Sequence, residues 1–290
     1  MNGELGGRVP HAAVRARRAW LRKRDTRPAR RHDFLVSPAT RLHDPLSERL
    51  LAIMDQKHHW AYPALTRPGL TRAQLLAHFR HEYLVYVRDF PVLLAAALAQ
   101  VPAIPEVRSA LAENLYEEQT GGISKTAPHP EMFLRMMEGL GFSRRDFDEP
   151  GGTPIHPAAT AYRDELRALS RDAPWQVAVA VLTIFVEGSV NERAELAGTY
   201  VRARGEAAVA KHALVVHYGC PPSAMELTRA HAAVEGAHRA DAWRMVLGHV
   251  GEPSGEVARA VADGCARCLA AWTRYRDGVA ERMGLRREAA

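Results

Sequence analysis

The chain is poor in cysteine and has no long hydrophobic run. Only three of its 290 residues are cysteine, too few and too odd a number for a disulfide framework, which is typical of a reducing compartment. No apolar stretch reaches the roughly 18–20 residues that a membrane span needs. The basic N-terminus is not followed by the apolar segment of a signal peptide. These absences predict a cytoplasmic protein without membrane contact.

Patterns typical of β-strands are missing as well. Alternation of apolar and polar residues does not recur between turn signals, and no segment repeats at a fixed period. Helical patterns bounded by proline, glycine, serine or threonine follow one another instead, and the hydrophobic content of 47% is ample for a core. We predict an all-α fold in which residues 33–290 form a single bundle of seven or eight helices, with one continuous helix at Arg193–Tyr218.

The positive charge is concentrated at the N-terminus. Residues 1–31 contain ten Lys or Arg and two Asp or Glu, a net charge of +8, whereas the rest of the chain carries −2. This charge block predicts a flexible basic arm over residues 1–32. A competing interpretation packs Trp20 and Leu21 on the bundle as an additional helix.

The most informative motif is His231-x3-Glu235-x2-His238. On a helix, steps of four and seven residues fall about 40° ahead of and about 20° behind the start, so the three side chains form one stripe. Two imidazoles and a carboxylate suit iron, manganese or zinc, and the absence of thiolate argues against an iron–sulfur cluster. The alternative is a solvated polar stripe on a surface helix.

Further acidic and imidazole groups precede this motif. Glu187 ends an almost purely apolar helix, where a buried carboxylate needs a cation, a proton or an exit to solvent. The adjacent acids Glu117 and Glu118 lie near a helix end with a glycine stop, and His129 precedes the next helix. The alternative for Glu187 is a carboxylate that simply reaches water, and the alternative for His129 is a helix cap.

In this order, the motifs resemble those of the heme-oxygenase-like diiron oxidases, a family distinct from true heme oxygenases. The resemblance covers roughly residues 45–250. Its motifs are Asn-Leu-Tyr-Glu-Glu at 114–118 with Gly-Gly after it, His-Pro-Glu-Met-Phe at 129–133, Phe-Val-Glu at 185–187 and the His-x3-Glu-x2-His helix. The iron ligands that it implies are Glu118, His129, Glu187, His231, Glu235 and His238, with Glu117 as the alternate for Glu118.

Two departures from the family pattern concern the second metal position. The middle residue of the last motif is often Asp in the family and is Glu235 here. The interval between Glu187 and His231 is long, and Glu192 and Glu195 within it are rival carboxylates.

The resemblance also implies a chemistry. Two Fe2+ ions would activate O2 as co-substrate in the oxidation of an amino-acid-like or fatty-acid-like molecule, by N-oxygenation, desaturation or oxidative C–C cleavage in a biosynthetic pathway. Candidates for binding a substrate carboxylate are Arg80, Arg88 and Arg135, because arginine is its favoured bidentate partner. A small-molecule substrate is expected, a nucleic-acid partner is not, and a homodimer is left open.

Two alternatives belong to other classes. The first is a metal-independent enzyme of the same architecture, similar to thiaminase-II or to pyrroloquinoline-quinone synthase. A thiaminase-II needs a nucleophilic cysteine, for which Cys220 is the only candidate, whereas Cys265 and Cys268 are predicted to be small core residues. The second is a non-catalytic helical scaffold whose basic arm binds an acidic partner.

Overall fold

Every regular element that the structure describes is helical, which confirms the predicted all-α class. The computed structural model describes residues 44–149 and 153–287, except the side chains of residues 232–239. Within these ranges there are thirteen α-helices, more than the predicted seven or eight. The difference comes from short helices of four to seven residues, whereas eight helices have eleven residues or more.

The helices are numbered in chain order. They are α1 (Pro45–Asp55), α2 (Tyr62–Leu65), α3 (Arg72–Glu82), α4 (Phe90–Gln100), α5 (Pro105–Thr120), α6 (His129–Gly139), α7 (Pro157–Asp172), α8 (Trp175–Val179), α9 (Glu192–Leu196), α10 (Gly205–Lys211), α11 (Ala213–Tyr218), α12 (Glu226–Leu247) and α13 (Glu256–Arg282). Short 3-10 turns cover Arg144–Phe147 and Pro222–Ala224.

Two helices continue as π-helix. α3 extends into Tyr83–Val87, and α8 extends into Ala180–Val186. The Arg88 amide donates to the Tyr83 carbonyl at 3.0 Å, and the Glu187 amide donates to the Leu182 carbonyl at 3.3 Å, both across five residues. π-helical turns are uncommon and frequently mark functional sites. Glu187 directly follows the second of them.

The predicted continuous helix at Arg193–Tyr218 is wrong. The structure divides this stretch into α9, α10 and α11. Gly198 and Gly205 take positive φ angles of 70° and 52°, a conformation that ends or interrupts a right-handed helix. The His212 side chain then accepts a hydrogen bond from the Leu214 amide and caps α11.

The larger core lies between the long helices. α13 packs along α7 and also contacts α1, α3 and α8. Tyr162 of α7 and Tyr275 of α13 stack with ring centroids 5.3 Å apart. Cys265 and Cys268 are buried in this core, as predicted for small core residues, and Cys220 is buried in a smaller core around α6.

None of the helices in the described ranges is long and apolar enough to cross a bilayer. The predicted basic arm at residues 1–32 lies outside the described residues.

Candidate metal centre

Three helices that pack against one another bring Glu118, His129 and His231 together. Glu118 lies near the end of α5, His129 is the first residue of α6, and His231 lies in the second turn of α12. One ligand atom from each side chain lies within 4.8 Å of those of the other two. A carboxylate and two imidazoles at this spacing can share a metal ion.

The loop between α5 and α6 sets the distance between Glu118 and His129. α5 ends at Gly121, which takes a left-handed φ of 61°. A Cβ there would lie 2.4 Å from the Thr126 carbonyl oxygen and 2.5 Å from that of Ala127. Glycine therefore allows the loop to fold back closely on the helix end, so that α6 starts beside the last turn of α5.

Glu117 is held by this loop. Its fully buried carboxylate accepts hydrogen bonds from the Ile123 amide at 2.8 Å, the Ser124 amide at 3.0 Å and the Ser124 hydroxyl. Burial favours the neutral acid, but the hydrogen bonds from Ser124 and Ile123 hold the pKa of Glu117 below its ordinary value. His129 Nε2 lies 3.4 Å from Glu117 Oε1 in hydrogen-bonding geometry, with the ring nitrogen as the donor.

The other ring nitrogen of His129 faces Glu118. Nδ1 lies 2.9 Å from Glu118 Oε1, the distance of an ion pair, and this buried atom has no well-formed hydrogen bond among the described residues. Burial alone would lower the pKa of His129, but the Glu118 and Glu117 carboxylates raise it above its ordinary value. The site therefore attracts positive charge.

His231 completes the group of three. Its ring centroid lies 5.0 Å from that of His129, with the planes inclined by 60°. Burial and the neighbouring His129 lower the pKa of His231 to about 4. At neutral pH the imidazole is therefore uncharged, the form that binds a metal.

Glu187 is anchored to the helix that carries Glu118. Asn114 Nδ2 donates to Glu187 Oε1 at 2.7 Å, and Asn114 lies one helical turn before Glu118 on the same face of α5. Asn114 Oδ1 is buried and has no hydrogen-bond partner in the described part of the chain. The half-buried Glu187 carboxylate is thus held against α5 next to the turn that bears Glu118.

Glu235 and His238 belong to α12, but their side chains lie outside the described residues. The two rival carboxylates have partners elsewhere. Glu192 is fully buried and accepts from Trp243 Nε1 at 2.9 Å, and Glu195 accepts from Arg202 Nε at 2.7 Å.

The three arginines proposed as substrate contacts each have structural partners. Arg80 is buried and donates to the backbone carbonyls of residues 146, 148 and 153. Arg88 pairs with Asp89 and Glu149, and Arg135 pairs with Glu131 and Glu226. Neither of the two cavities found in the described part of the chain is lined by any of the three.

The larger cavity adjoins the cluster. It measures about 500 Å³, is formed by residues 195–212 together with part of α12, and has His231 in its wall. The exposed Tyr200 and the half-buried Arg202 also line it. This cavity gives a small molecule a route to one of the three clustered side chains.

Sequence reasoning missed the residues that hold the candidate ligands in place. Asn114 stands one turn before Glu118, and this i, i+4 spacing was the signal for its role. It also missed Lys57 and Arg276, the cations of the smaller cavity. Arg276 lies on the buried side of α13, four residues after Trp272 and one after Tyr275. Its position on an apolar stripe was the signal in the sequence that this arginine would be buried.

Comparison with known proteins adds a family and a fold. The model of a family described as iron-containing redox enzymes matches residues 77–273, about two thirds of the chain and a span that includes all six predicted ligands. A solved structure, a TenA homolog from Pseudomonas syringae pv. tomato, is similar in fold, with a TM-score of 0.62 at 14% identity over 82% of this chain and 93% of that one. No curated protein matches the chain. The chain therefore belongs to the family of iron-containing redox enzymes and has the helical fold of the heme-oxygenase-like superfamily.

Proposed function

We propose that this protein is a non-heme diiron oxidase or oxygenase that uses O2 to oxidise a small amino-acid-like or fatty-acid-like substrate. The observation that carries the proposal is the convergence of Glu118, His129 and His231 from three different helices. Family membership supports it, because the matching family is described as iron-containing redox enzymes.

The side chains of the cluster fit iron. Neutral imidazole together with carboxylate is a ligand set that iron favours, and no thiolate lies among them. His129 Nδ1 lies 2.9 Å from a Glu118 oxygen and is buried without a well-formed hydrogen bond among the described residues, so a cation bound by both atoms would use its lone pair. Glu187, Glu235 and His238 complete the proposed set of six ligands.

In this proposal Glu117 and Glu118 have different roles. Glu117 accepts the Nε2 proton of His129, which fixes the tautomer in which Nδ1 is the free nitrogen. A metal-binding histidine usually donates its other ring N–H to a carboxylate or carbonyl in this way. Glu118, on the Nδ1 side, is then the ligand, and Asn114 orients Glu187 through its amide.

Bound ferrous iron would supply the electrons for O2 reduction. The residues of the chain would orient the ligands, keep the imidazole of His231 uncharged and admit the substrate through the cavity beside it. N-oxygenation, desaturation and oxidative C–C cleavage are all compatible with this arrangement.

The metal-independent alternative gains support from the TenA-like fold, but the cysteines weigh against a thiaminase-II chemistry. Cys220, Cys265 and Cys268 are all buried, and burial raises the pKa of each thiol. A nucleophilic cysteine needs the opposite, an accessible thiol with a lowered pKa. The Sγ of Cys220 contacts Met225 Sδ at 3.5 Å and no carboxylate of the described residues.

An anaerobic titration with Fe2+ tests the proposal. The wild-type chain should bind about two ferrous ions, and His129→Ala and His231→Ala should each bind less, because each removes one ligand. His217→Ala is the matched control, since His217 is exposed and lies outside the cluster. Equal iron content in wild type, His129→Ala and His231→Ala would contradict the proposed site.

A further inference from the structure

A second cavity lies in the larger core, and none of its lining residues is a proposed iron ligand. It measures about 290 Å³ and is bounded by the loop after α1, by α7 and α13, and by the residues on either side of Glu187. Both π-helical segments contribute to its wall, through Tyr86 and Val186. The polar and aromatic side chains of its lining are Lys57, His58, Tyr62, Tyr86, Tyr162, Ser189, Trp272 and Arg276.

Lys57 brings a positive charge to this cavity, and no carboxylate of the described residues lies within ion-pair distance of its Nζ, although the buried Glu192 acts on this charge from further away. The residue is only 8% exposed. Its Nζ donates to the carbonyl oxygens of Phe185 at 2.5 Å and Gly188 at 2.7 Å. An ammonium group has three N–H donors, so the third is left without an acceptor among the described residues. Burial and the charge of Arg276 lower the pKa of Lys57 to about 8, so the ammonium form still predominates at neutral pH.

Arg276, by contrast, is neutralised by Glu82. The Glu82 carboxylate accepts from Arg276 Nη1, from the Tyr86 hydroxyl and from the Tyr275 hydroxyl at 3.2 Å. The nearby His78, 4.0 Å from Glu82, has a pKa lowered to about 4 by burial and is therefore uncharged. Among the lining residues, Lys57 is thus the cation whose charge no ion pair of the described residues neutralises.

One donor of Arg276 remains unused. The side chain is 7% exposed, and its buried Nε has no hydrogen-bond partner among the described residues. A buried N–H without an acceptor is destabilising. A ligand oxygen in the cavity would satisfy this group together with the third N–H of Lys57.

We propose that this cavity is a binding site for a small monocarboxylate with an aromatic body. A single negative charge matches the charge of Lys57, and a planar carboxylate suits the guanidinium of Arg276. The rings of Tyr62, Tyr162 and Trp272 offer an apolar lining for a flat body. A phosphate monoester, with nearly two negative charges, would leave charge uncompensated in a buried space.

This site does not depend on iron, since none of its lining residues is a proposed ligand. It can therefore be tested on metal-free protein, and its failure is distinguishable from failure of the proposed function. Both a substrate and an effector can present this chemistry. Consumption of the acid by iron-loaded protein under O2 would identify a substrate, and its recovery intact would exclude that role.

Calorimetric titration of the metal-free full chain tests the proposal, with benzoate and 3-phenylpropanoate as probes. At least one acid should bind saturably, and its amide and phenyl phosphate should bind roughly tenfold or more weaker, because they lack the matching charge. Lys57→Met should weaken the acid by a similar factor. Lys211→Met, which changes an exposed lysine outside the cavity, should leave binding unchanged.

Tyr62→Phe provides a second test in case Lys57→Met does not fold. The hydroxyl of Tyr62 makes no hydrogen bond within the described ranges, so its removal leaves the fold intact, and loss of a ligand contact should weaken binding roughly two- to tenfold. Tyr83→Phe, in the same π-helical segment as Tyr86 but outside the lining, is the control. Binding of neither acid, equal binding of acid and amide, or unchanged binding in both cavity variants would overturn the proposal.

Discussion

Glu117 and Glu118 are adjacent in the sequence, yet their carboxylates meet opposite nitrogens of the same imidazole. We predict that Glu118→Gln lowers the amount of iron bound, because it removes a ligand. Glu117→Gln should retain the stoichiometry but weaken iron binding roughly 10–100-fold, the usual effect of losing a group that orients a ligand.

Metal titrations of both variants by calorimetry and elemental analysis distinguish the two roles. Exposed Glu138→Gln serves as the control, since it lies in a surface ion pair. If Glu117→Gln loses an iron and Glu118→Gln keeps both, the roles are reversed, and the family ligand is Glu117.

Glu82 and Arg276 form a buried pair whose loss should be costly. Glu82→Gln leaves the buried guanidinium without its counter-charge, so we expect the free energy of unfolding to fall by about 3–5 kcal/mol. The same Glu138→Gln control should change it by less than about 1 kcal/mol. Chemical denaturation followed by circular dichroism measures the free energy of unfolding of both variants. An equal decrease in Glu82→Gln and Glu138→Gln would show that the buried pair stabilises the fold no more than a surface ion pair does.

The Glu82 carboxylate also determines how the free energy of unfolding changes at acidic pH. Although burial opposes ionisation, Arg276 and His78 lower the pKa of Glu82 to about 2 in the folded protein, from an ordinary value of 4.5. A lowered pKa stabilises the fold above pH 4.5, and this contribution is lost as the pH falls toward 2. Glu82→Gln should therefore show a smaller loss of stability than wild type between these pH values.

Some of these residues could be found in the sequence and others could not. Glu118, His129 and His231, which the structure brings together, stand out in the sequence because metal-binding residue types occur there at helical spacings or at helix ends. The choice between Glu117 and Glu118 depends on a tertiary contact with His129, which helix periodicity does not encode. The pairing of Lys57 with carbonyls 128 and 131 residues away is likewise invisible in the local pattern.

At the scale of elements, the junction between α5 and α6 controls the cluster. Gly121→Ala places a Cβ 2.4 Å from the Thr126 carbonyl oxygen, so the loop must move and separate Glu118 from His129. We expect lower stability and weaker iron binding. Gly219→Ala is a close control, because Gly219 also has a positive φ, 71°, but a Cβ there would have nothing within 4 Å.

Gly219→Ala should show only the strain of the left-handed backbone, about 1 kcal/mol, with normal iron binding. Thermal unfolding and iron analysis of Gly121→Ala and Gly219→Ala separate the effect of backbone strain from the effect of moving the loop. If both variants bind iron equally well, the loop does not set the ligand distance.

The ends of the helices show why local sequence patterns predict some boundaries correctly and miss others. Thr71 and Gln74 form a capping box at the start of α3, a pattern that can be recognised in the sequence because both residues are local in the chain. The division of Arg193–Tyr218 into three short helices depends on two glycines that adopt positive φ angles. Glycine is permissive in either conformation, so the sequence alone did not reveal the breaks.

For the whole molecule, the uneven charge predicts that the N-terminal arm is dispensable. Deleting residues 1–32 removes a net charge of +8 from the chain. We expect the truncated protein to keep its melting temperature and iron content, because the arm lacks an apolar face long enough to dock. Calorimetry measures this, and a drop of several degrees would mean that Trp20 and Leu21 pack on the bundle.

The central claim is that iron held by this cluster activates O2. The most direct test is O2 uptake, with simultaneous visible absorption, after anaerobic Fe2+ loading of wild type and His129→Ala. We predict rapid O2 uptake and an absorption change in wild type, both strongly reduced in the variant under the same free iron. Absence of bound iron and of O2 uptake in wild type, or equal uptake by the two proteins, would contradict it.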